Sequence, residues 1–464
     1  MKPLPRHLLL AVVLFACALV PLPGAVESLV EPTEVCWGRE RGAALPDWVR
    51  TTTIYEVNVR QYSAEGTFAA VEADLGRIRD LGVGTLWFMP VHPIGQLNRK
   101  GELGSYYAVQ DYRAINPEFG TAEDFRRLVR KAQAMGLRVI MDWVANHTAW
   151  DHAWMQSNPG YYWRDRDGRP VPPLGFDWTD VVQLDYRNHE LWRAQIEALA
   201  YWIREFNIDG FRFDYATGVP TPFWNEMSQA LRAMRPDIFL LAEAEVPQHQ
   251  LQAFHASYSF PMMHAINAVA QGRAPATHID DILAHYEVLF PRDPVFLNYT
   301  TNHDENSWQG TVFERLGGGV RAFAVLSFVL DGVPLVYNGQ EAGLDKRLEF
   351  FQRDPIAWRD HPLREFYRAL IRLRREHPAL ATGAVLMRIP TTRNDAVFAV
   401  VREAEGRRLA AFLNLTARDV TCHAAHASLR GRWRDAFRGE DVASEGTLAL
   451  ELRSWEYRVL VDEP

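Results

Sequence analysis

The feature that most constrains the fold is a repeated alternation of short apolar strands with amphipathic helices. Helical periodicity marks 68–81, 121–136, 190–206, 222–234 and 362–377. Strand-like runs cover 53–60, 84–90, 137–143, 210–214, 238–242, 256–260, 295–300 and 334–337. This alternation is typical of βα units that form a parallel sheet. Eight units over about 330 residues predict an α/β fold, a closed (β/α)8 TIM barrel rather than an open sheet.

Two segments depart from the alternation. The segment 147–185 has neither period and is rich in Trp, Tyr, Pro and Gly, so we expect a small inserted domain after the third strand. Short alternating runs at the end of the chain predict a C-terminal antiparallel β-sandwich domain over 379–464. The barrel is therefore expected to occupy 51–146 and 186–378, behind a lead-in at 26–50.

The N-terminus resembles an export signal. Basic residues precede an apolar run at 8–20, which is too short to span a bilayer and has the length of a signal-peptide core. We predict a signal peptide within 1–25, a secreted or periplasmic location, and no transmembrane span after processing. A second interpretation is a lipobox at 14–17, which would make Cys17 a lipid anchor.

Composition limits the partners and cofactors. The net charge of −8 and the lack of basic runs argue against nucleic acid as a partner. The sequence has no Cys/His metal pattern and no phosphate-binding glycine motif, so we expect no organic cofactor. Cys36 and Cys422 could form a disulfide in an exported chain or remain two unrelated thiols. We expect a monomer.

Polar residues collect where the predicted strands end, and barrel enzymes place their chemistry on that face. The set comprises Asp142, Asn146, His147, Arg212, Asp214, Glu243, Glu245, His303, Asp304 and Glu341. Arg212 and Asp214 lie two residues apart on one strand and face the same way, so the cation favours an ionised carboxylate. One such pair could be a structural ion pair, but acids at four or five strand ends predict an active site.

Seven short motifs follow the order of one known family. They lie at 84–90, 142–147 (Asp-Trp-Val-Ala-Asn-His), 183–185, 210–214 (Gly-Phe-Arg-Phe-Asp), 241–243 (Leu-Ala-Glu), 301–304 (Thr-Asn-His-Asp) and 332–339. From about residue 50 onward the chain resembles the α-amylase family of glycoside hydrolases (family 13), and the insertion resembles a short form of the family's B domain. The resemblance implies retaining cleavage of α-1,4-glucosidic bonds in starch or maltooligosaccharides.

The resemblance gives three carboxylates a role. Asp214 would be the nucleophile that forms a covalent glucosyl intermediate, and Glu243 would be the general acid and then the general base. Asp304 would bind the sugar's 2- and 3-hydroxyls and stabilise the oxocarbenium-like transition state. Glu245 competes for the acid role because it points the same way from the same strand.

The resemblance also implies contacts with the sugar at the cleavage point. Tyr107 would stack on the sugar ring, and His147 and His303 would bind its hydroxyls. Arg212 would keep the nucleophile ionised. Asp142 would support the site without reacting.

A calcium site is a further implication of the resemblance. Asn146 and Asp185 match two of the family's ligands, and the backbone carbonyl of Gly218 matches a third. Such hard oxygen ligands suit Ca²⁺. The alternative is that Asn146 and Asp185 only brace the insertion.

One departure from the family leaves the specificity open. Many relatives carry Lys-His shortly after the nucleophile, where the leaving part of the glucan binds, but this chain has Thr217 and Gly218. A glucanotransferase, or an enzyme specific for cyclodextrins or oligosaccharides, is therefore an alternative. A non-catalytic glycan-binding relative is a more remote one, because such relatives usually lose the catalytic carboxylates that this chain keeps.

Overall fold

The computed structural model of the protein describes residues 40–463. The predicted signal peptide at 1–25, the lipobox with Cys17, and Cys36 lie outside the described residues. Within them, none of the helices is long and apolar enough to cross a membrane.

Eight parallel strands close into a barrel, which confirms the predicted (β/α)8 architecture. The first ten strands of the chain are β1 Ile54–Val57, β2 Thr85–Phe88, β3 Arg138–Val144, β4 His147–Ala149, β5 Val181–Gln183, β6 Gly210–Asp214, β7 Phe239–Ala242, β8 Ala256–Tyr258, β9 Phe296–Asn298 and β10 Val333–Tyr337. The order around the barrel is β1-β10-β9-β8-β7-β6-β3-β2. Almost every residue of these strands is buried, because helices cover the sheet on its outer face.

The helices are α1 Val59–Tyr62, α2 Phe68–Ala73, α3 Leu75–Leu81, α4 Ala122–Ala134, α5 Trp154–Ser157, α6 His189–Phe206, α7 Thr221–Met234, α8 His249–Gln252, α9 Phe260–Ala270, α10 His278–Leu289, α11 Val312–Leu316, α12 Val320–Val329 and α13 Pro362–Glu376. The single helix predicted over 68–81 is two helices separated at Asp74, whose carboxylate accepts hydrogen bonds from Tyr62 and Arg77. Helix α12 was not predicted because nine of its ten residues are buried, all except Arg321, so it has no clear amphipathic period.

The strands that carry the candidate site are held in register at their amino ends. The Asp209 carboxylate accepts hydrogen bonds from the Val139 amide at 2.9 Å and from Arg138 Nη1 at 2.8 Å. Gly210 allows β6 to pack closely on β7, since a Cβ there would lie 2.2 Å from the Phe239 carbonyl oxygen. In this register Asp142 on β3 lies beside Arg212 on β6.

The insertion after β3 contains a small antiparallel pair, β4 and β5, with His147 opposite Gln183. Between these strands the chain forms α5 and a long connection that ends near Trp178. The connection exposes Leu174 and Phe176, which are 68% and 43% accessible. The insertion therefore presents apolar side chains to solvent at the carboxyl end of β3.

The C-terminal residues form an antiparallel β domain, as predicted. Its strands are β11 Val385–Arg388, β12 Val397–Ala404, β13 Arg407–Asn414, β14 Val420–Ala425, β15 Gly431–Asp435, β16 Asp441–Ser444, β17 Thr447–Leu452 and β18 Tyr457–Asp462. Six of them form one sheet in the order β11-β12-β13-β18-β15-β16, and β14 pairs with β17. Phe412 and Trp433 of the larger sheet share a buried core with Cys422 and Leu450 of the pair.

Candidate active site

The guanidinium of Arg212 lies at the centre of the predicted carboxylate cluster. Arg212 Nη1 is 2.8 Å from Asp142 Oδ1 and 3.3 Å from Asp214 Oδ1. Arg212 Nη2 is 2.8 Å from Glu243 Oε1. The carboxyl ends of β3, β6 and β7 thus bring three acids to one cation, whose side chain is fully buried. Because two neighbouring nitrogens hold Asp214 and Glu243, these two carboxylates lie close to each other.

Three aromatic rings surround the same cation. The guanidinium carbon of Arg212 lies 5.2 Å from the ring centre of Trp87, 5.8 Å from that of Tyr107 and 5.4 Å from that of Tyr258. Cation–π attraction favours these arrangements. The rings also exclude water, so each charge acts on its neighbours in a medium of low dielectric constant.

Backbone hydrogen bonds fix Glu243 relative to the end of β6. The Tyr215 amide donates to Glu243 Oε2 at 2.8 Å, and the Ala216 amide donates to the Glu243 carbonyl at 3.1 Å. Tyr215 takes a left-handed backbone conformation, with φ of 39°. For a bulky residue this conformation costs free energy and often marks a functional site. The turn after Asp214 therefore positions the neighbouring carboxylate of Glu243.

A second network joins Asp304 to the first. His303 Nε2 lies 2.7 Å from the Tyr107 hydroxyl and 3.3 Å from Asp304 Oδ2. His303 Nδ1 lies 2.5 Å from Glu56 Oε1. The Tyr107 hydroxyl donates to Asp142 Oδ2 at 3.3 Å, which closes a connection from Asp304 to the Arg212 cluster.

The environment shifts the protonation equilibria of this site in different directions. Burial and the neighbouring Glu243 charge raise the pKa of Asp214 well above its usual value, and Arg212 offsets only part of this effect. Burial also raises the pKa of Asp142, to about 6. The prediction that Arg212 keeps the nucleophile ionised thus meets an opposing effect, because one cation is shared by three buried carboxylates.

Asp304 and His303 form a charged pair. Burial would raise the pKa of Asp304, but His303, Arg212 and the Trp308 indole lower it overall. Burial would lower the pKa of His303, yet Asp304 and Glu56 raise it well above its usual value. Both shifts favour an anionic Asp304 beside a protonated His303.

Two other predicted residues, His147 and Glu245, lie in different surroundings. His147 is buried, and burial lowers its pKa to about 3, so its ring is neutral. Burial raises the pKa of Glu245 to about 7. Of the two competing acids, Glu243 rather than Glu245 contacts Arg212. Glu341 binds Arg77 and the Tyr55 hydroxyl, each at 2.6 Å, and braces helix α3 against β1.

The comparison with sequence families decides the identity. The family described as "Alpha amylase, catalytic domain" matches residues 45–167 and 174–362, which is more than half of the chain. The chain belongs to the α-amylase family. In the classification of glycosidases this is glycoside hydrolase family 13, as the motifs between β2 and β10 predicted.

Individual members of the α-amylase family resemble the chain over most of its length. The α-amylase MalA of Haloarcula japonica is 29% identical over 396 residues, which are 81% of this chain and 57% of that protein. The chain therefore spans a little over half of that relative. A crystal structure of an α-amylase from Lactobacillus plantarum superposes with a TM-score of 0.80 at 31% identity, covering 90% of this chain and 100% of that one. A noncanonic maltogenic α-amylase, AmyB of Thermotoga neapolitana, gives 0.83 at 27% identity, with the same coverages.

The residues predicted for the α-amylase calcium site do not fit a bound calcium ion. Both carboxylate oxygens of Asp185 are bonded by Arg187, Nε at 2.8 Å and Nη2 at 2.6 Å. Asn146 exchanges side-chain amide hydrogen bonds with Gln183 at 3.0 and 3.3 Å. Gly218 does approach Asn146, since a Cβ on it would lie 2.5 Å from Asn146 Oδ1. In this structure the partner of the Asp185 carboxylate is thus a guanidinium.

Residues 40–463 contain no group of three or more His, Cys, Asp or Glu side chains suited to hold a metal ion. The three predicted ligands were an amide, a carboxylate and a backbone carbonyl, and only the carboxylate counts towards such a group. The fit therefore depends on Asp185, whose carboxylate already has a cationic partner.

Sequence reasoning missed two aromatic groups beside the carboxylates. The first, the insertion cluster, is Phe176, Trp178 and Tyr215, and its centroid distances are 4.1 to 5.2 Å. The second, the Trp308 cluster, is Trp308, Phe350 and Phe351, with centroid distances of 5.2 to 6.0 Å. In the sequence, the signals of these clusters were Trp308, four positions after Asp304, and the aromatic residues of the insertion.

Proposed function

We propose that the protein is a retaining glycosidase that cleaves α-1,4-glucosidic bonds in starch or maltooligosaccharides. The observation that carries this proposal is the shared contact of Arg212 with Asp214 and Glu243. Retaining enzymes need two carboxyl groups about 5 to 5.5 Å apart, and adjacent nitrogens of one guanidinium are compatible with that spacing. Membership of the α-amylase family supports an α-glucan as the substrate.

In the first step Asp214 Oδ attacks the anomeric carbon while Glu243 gives its proton to the glycosidic oxygen. The bond from the anomeric carbon to that oxygen breaks, and a glucosyl ester of Asp214 forms. Anionic Asp304 stabilises the positive charge that develops on the sugar ring. Protonated His303 holds the Asp304 carboxylate in place and can donate to a sugar hydroxyl.

In the second step the leaving part of the glucan departs and water enters beside Glu243. Glu243 now accepts a proton from the water, whose oxygen attacks the anomeric carbon and releases Asp214. The proton returns Glu243 to its starting state. Two displacements at one carbon leave the product in the α configuration, which is the outcome that defines a retaining enzyme.

Substituting the two competing acids provides the sharpest test. Glu243→Gln is expected to lower kcat on soluble starch by at least about 100-fold, because the leaving oxygen loses its proton donor. Glu245→Gln is the matched control, two residues further along the chain, and is expected to keep most of the activity. If Glu245→Gln is the inactive variant, the assignment of the acid is wrong. Asp214→Asn must also abolish hydrolysis.

A transferase is the second candidate. The observation in its favour is the insertion cluster, in which Phe176 and Trp178 contact Tyr215 and the Tyr215 ring lies beside Gly218, where relatives carry Lys-His. Apolar rings on that side could bind a sugar acceptor in preference to water. Products formed from maltotriose over time distinguish the two: longer oligosaccharides without a rise in reducing ends would favour transfer.

Export remains part of the proposal. The basic residues and the apolar run at 8–20 support a signal peptide, and Cys17 supports the alternative of a lipid anchor. Mass spectrometry of the mature protein would separate simple cleavage from lipidation at Cys17.

A further inference from the structure

Trp308 combines exposure with a contact to the candidate site. Trp308 is 51% accessible, so about half of its surface is open to solvent. Its indole Nε1 nevertheless donates a hydrogen bond to Asp304 Oδ1 at 3.2 Å. His303 contacts the other oxygen of Asp304. The indole and the imidazolium together determine the orientation of the Asp304 carboxylate.

The ring of Trp308 extends an aromatic surface that begins at the site. Its centroid lies 5.2 Å from that of Phe350, at an interplanar angle of 40°. Phe350 is nearly parallel to Tyr107, with an angle of 13° and a centroid distance of 6.3 Å. Tyr107 is the residue predicted to stack on the sugar at the cleavage point. Flat apolar rings suit the faces of glucosyl units, so the surface could hold the next unit of the chain.

The segment that carries Trp308 is held firmly. Residues Glu305–Gln309 form a short π-helix, an arrangement that is frequent at functional sites. The side-chain amide of Asn306 donates to the Lys346 carbonyl at 3.0 Å and accepts from the Leu348 amide at 2.9 Å. These bonds fasten the π-helix to the loop that bears Phe350. Trp308 and Phe350 therefore form a preorganised pair rather than two mobile side chains.

The position of Glu243 indicates which part of the glucan this surface would face. The general acid must reach the glycosidic oxygen, so the leaving part of the substrate lies beside Glu243 and Tyr215. The insertion cluster adjoins that side through Tyr215. The Trp308 cluster adjoins Asp304 and Tyr107 instead. It therefore faces the part of the glucan that stays attached to Asp214, which we call the donor side.

We infer that Trp308 both orients Asp304 through its indole N–H and stacks on the second glucosyl unit of the donor side. This inference rests on the proposed glycosidase function. It assigns Trp308 a positioning role in the reaction and a specificity role for chains of at least two donor-side units. The two roles use different parts of the side chain, so substitutions can separate them.

Two variants and two substrates test the inference. α-Glucosyl fluoride fills one donor-side position and α-maltosyl fluoride fills two, while neither places a sugar on the leaving side. Trp308→Phe keeps a ring but loses the N–H, so kcat is expected to fall by roughly 10-fold on both fluorides, with KM for maltosyl fluoride little changed. Trp308→Ala loses both parts. Its kcat/KM is expected to fall roughly 10-fold further on maltosyl fluoride than on glucosyl fluoride.

The controls separate this inference from the function on which it rests. Val385→Ala removes an exposed apolar side chain from the C-terminal domain and should leave both rates unchanged. Unchanged kcat in Trp308→Phe would overturn the positioning role, and equal losses on both fluorides in Trp308→Ala would overturn the stacking role. If the wild-type protein cleaves neither fluoride and does not hydrolyse soluble starch, the proposed function fails. Calorimetry of maltotriose binding to wild type and Trp308→Ala would then still decide the stacking role, which is lost if the affinities agree.

Discussion

The two aromatic clusters beside the proposed catalytic carboxylates differ in how they are connected to these residues. The Trp308 cluster contacts Asp304 directly, through a hydrogen bond of 3.2 Å, and its backbone is fastened to a neighbouring loop. The insertion cluster instead contacts Glu243 through its backbone, because the Tyr215 amide donates to Glu243 Oε2 at 2.8 Å. Phe176 stacks on Trp178 at 4.1 Å, in a connection that also exposes Leu174. Substitutions in the first cluster should change the rate of the chemical step, whereas those in the second should change which molecule leaves or enters.

The strongest test of this difference alters the charge network behind Asp304. In Glu56→Gln, His303 loses one of the two anions that raise its pKa, so its proton is lost at lower pH. The proposed mechanism uses protonated His303, so the alkaline limb of the pH profile should move to lower pH. At neutral pH, kcat on maltosyl fluoride should fall by roughly 100-fold.

The insertion cluster supplies the control for this experiment. Phe176→Ala should leave the alkaline limb where it is in the wild type. A profile of Glu56→Gln that overlays the wild-type profile would show that Glu56 has only a structural role. Thermal unfolding of the variant should accompany the kinetics, since Glu56 is fully buried.

An intermediate effect is expected from the insertion cluster itself. Phe176→Ala combined with Trp178→Ala removes two rings on the leaving side, so kcat/KM on maltotetraose should fall roughly 10-fold. Hydrolysis of maltosyl fluoride should change less than about twofold, because fluoride makes no contact with those rings. Longer products formed by transfer from maltotriose should decrease in parallel. Equal losses on both substrates would place the cluster on the donor side and remove the contrast between the clusters.

The smallest effect concerns the base of the insertion. Because Arg187 occupies the carboxylate of Asp185, treatment with EDTA should leave the melting temperature and starch hydrolysis unchanged. Arg187→Gln should lower the free energy of unfolding by at most about 1 kcal/mol, since Arg187 is largely exposed. A large fall in melting temperature with EDTA that Ca²⁺ reverses would instead support the calcium site expected from the family.

The sequence was informative wherever a short pattern determines local structure. Strand-like runs that alternate with helices predicted all eight barrel strands, and the residues at their ends, Asp142, Arg212 and Asp214, lie in contact as expected. The α12 helix was not predicted because burial of nine of its ten residues leaves no clear amphipathic period.

Sequence patterns could not predict contacts between segments that are far apart along the chain. Glu56 was missed because its partner, His303, is 247 residues away along the chain. Trp308 was missed because only the π-helical turn directs its indole at Asp304. The pairing of Asp185 with Arg187 was missed because a family motif specifies a ligand type but not the neighbour that competes for it. The roles assigned to the individual site residues stay predictions until the variants are measured.

The sharing of one guanidinium by three acids also affects the thermal stability of the protein. Burial raises the pKa of Asp214, so the folded chain holds that proton more tightly than the unfolded chain does. As pH rises from the usual carboxyl range towards the raised value, ionisation favours the unfolded chain and stability is lost. The form of the protein with ionised Asp214, which is the form that can attack a sugar, is therefore the less stable one. A bound substrate or product should stabilise the active-site cleft. Heat should therefore inactivate the enzyme sooner in the absence of substrate than in its presence.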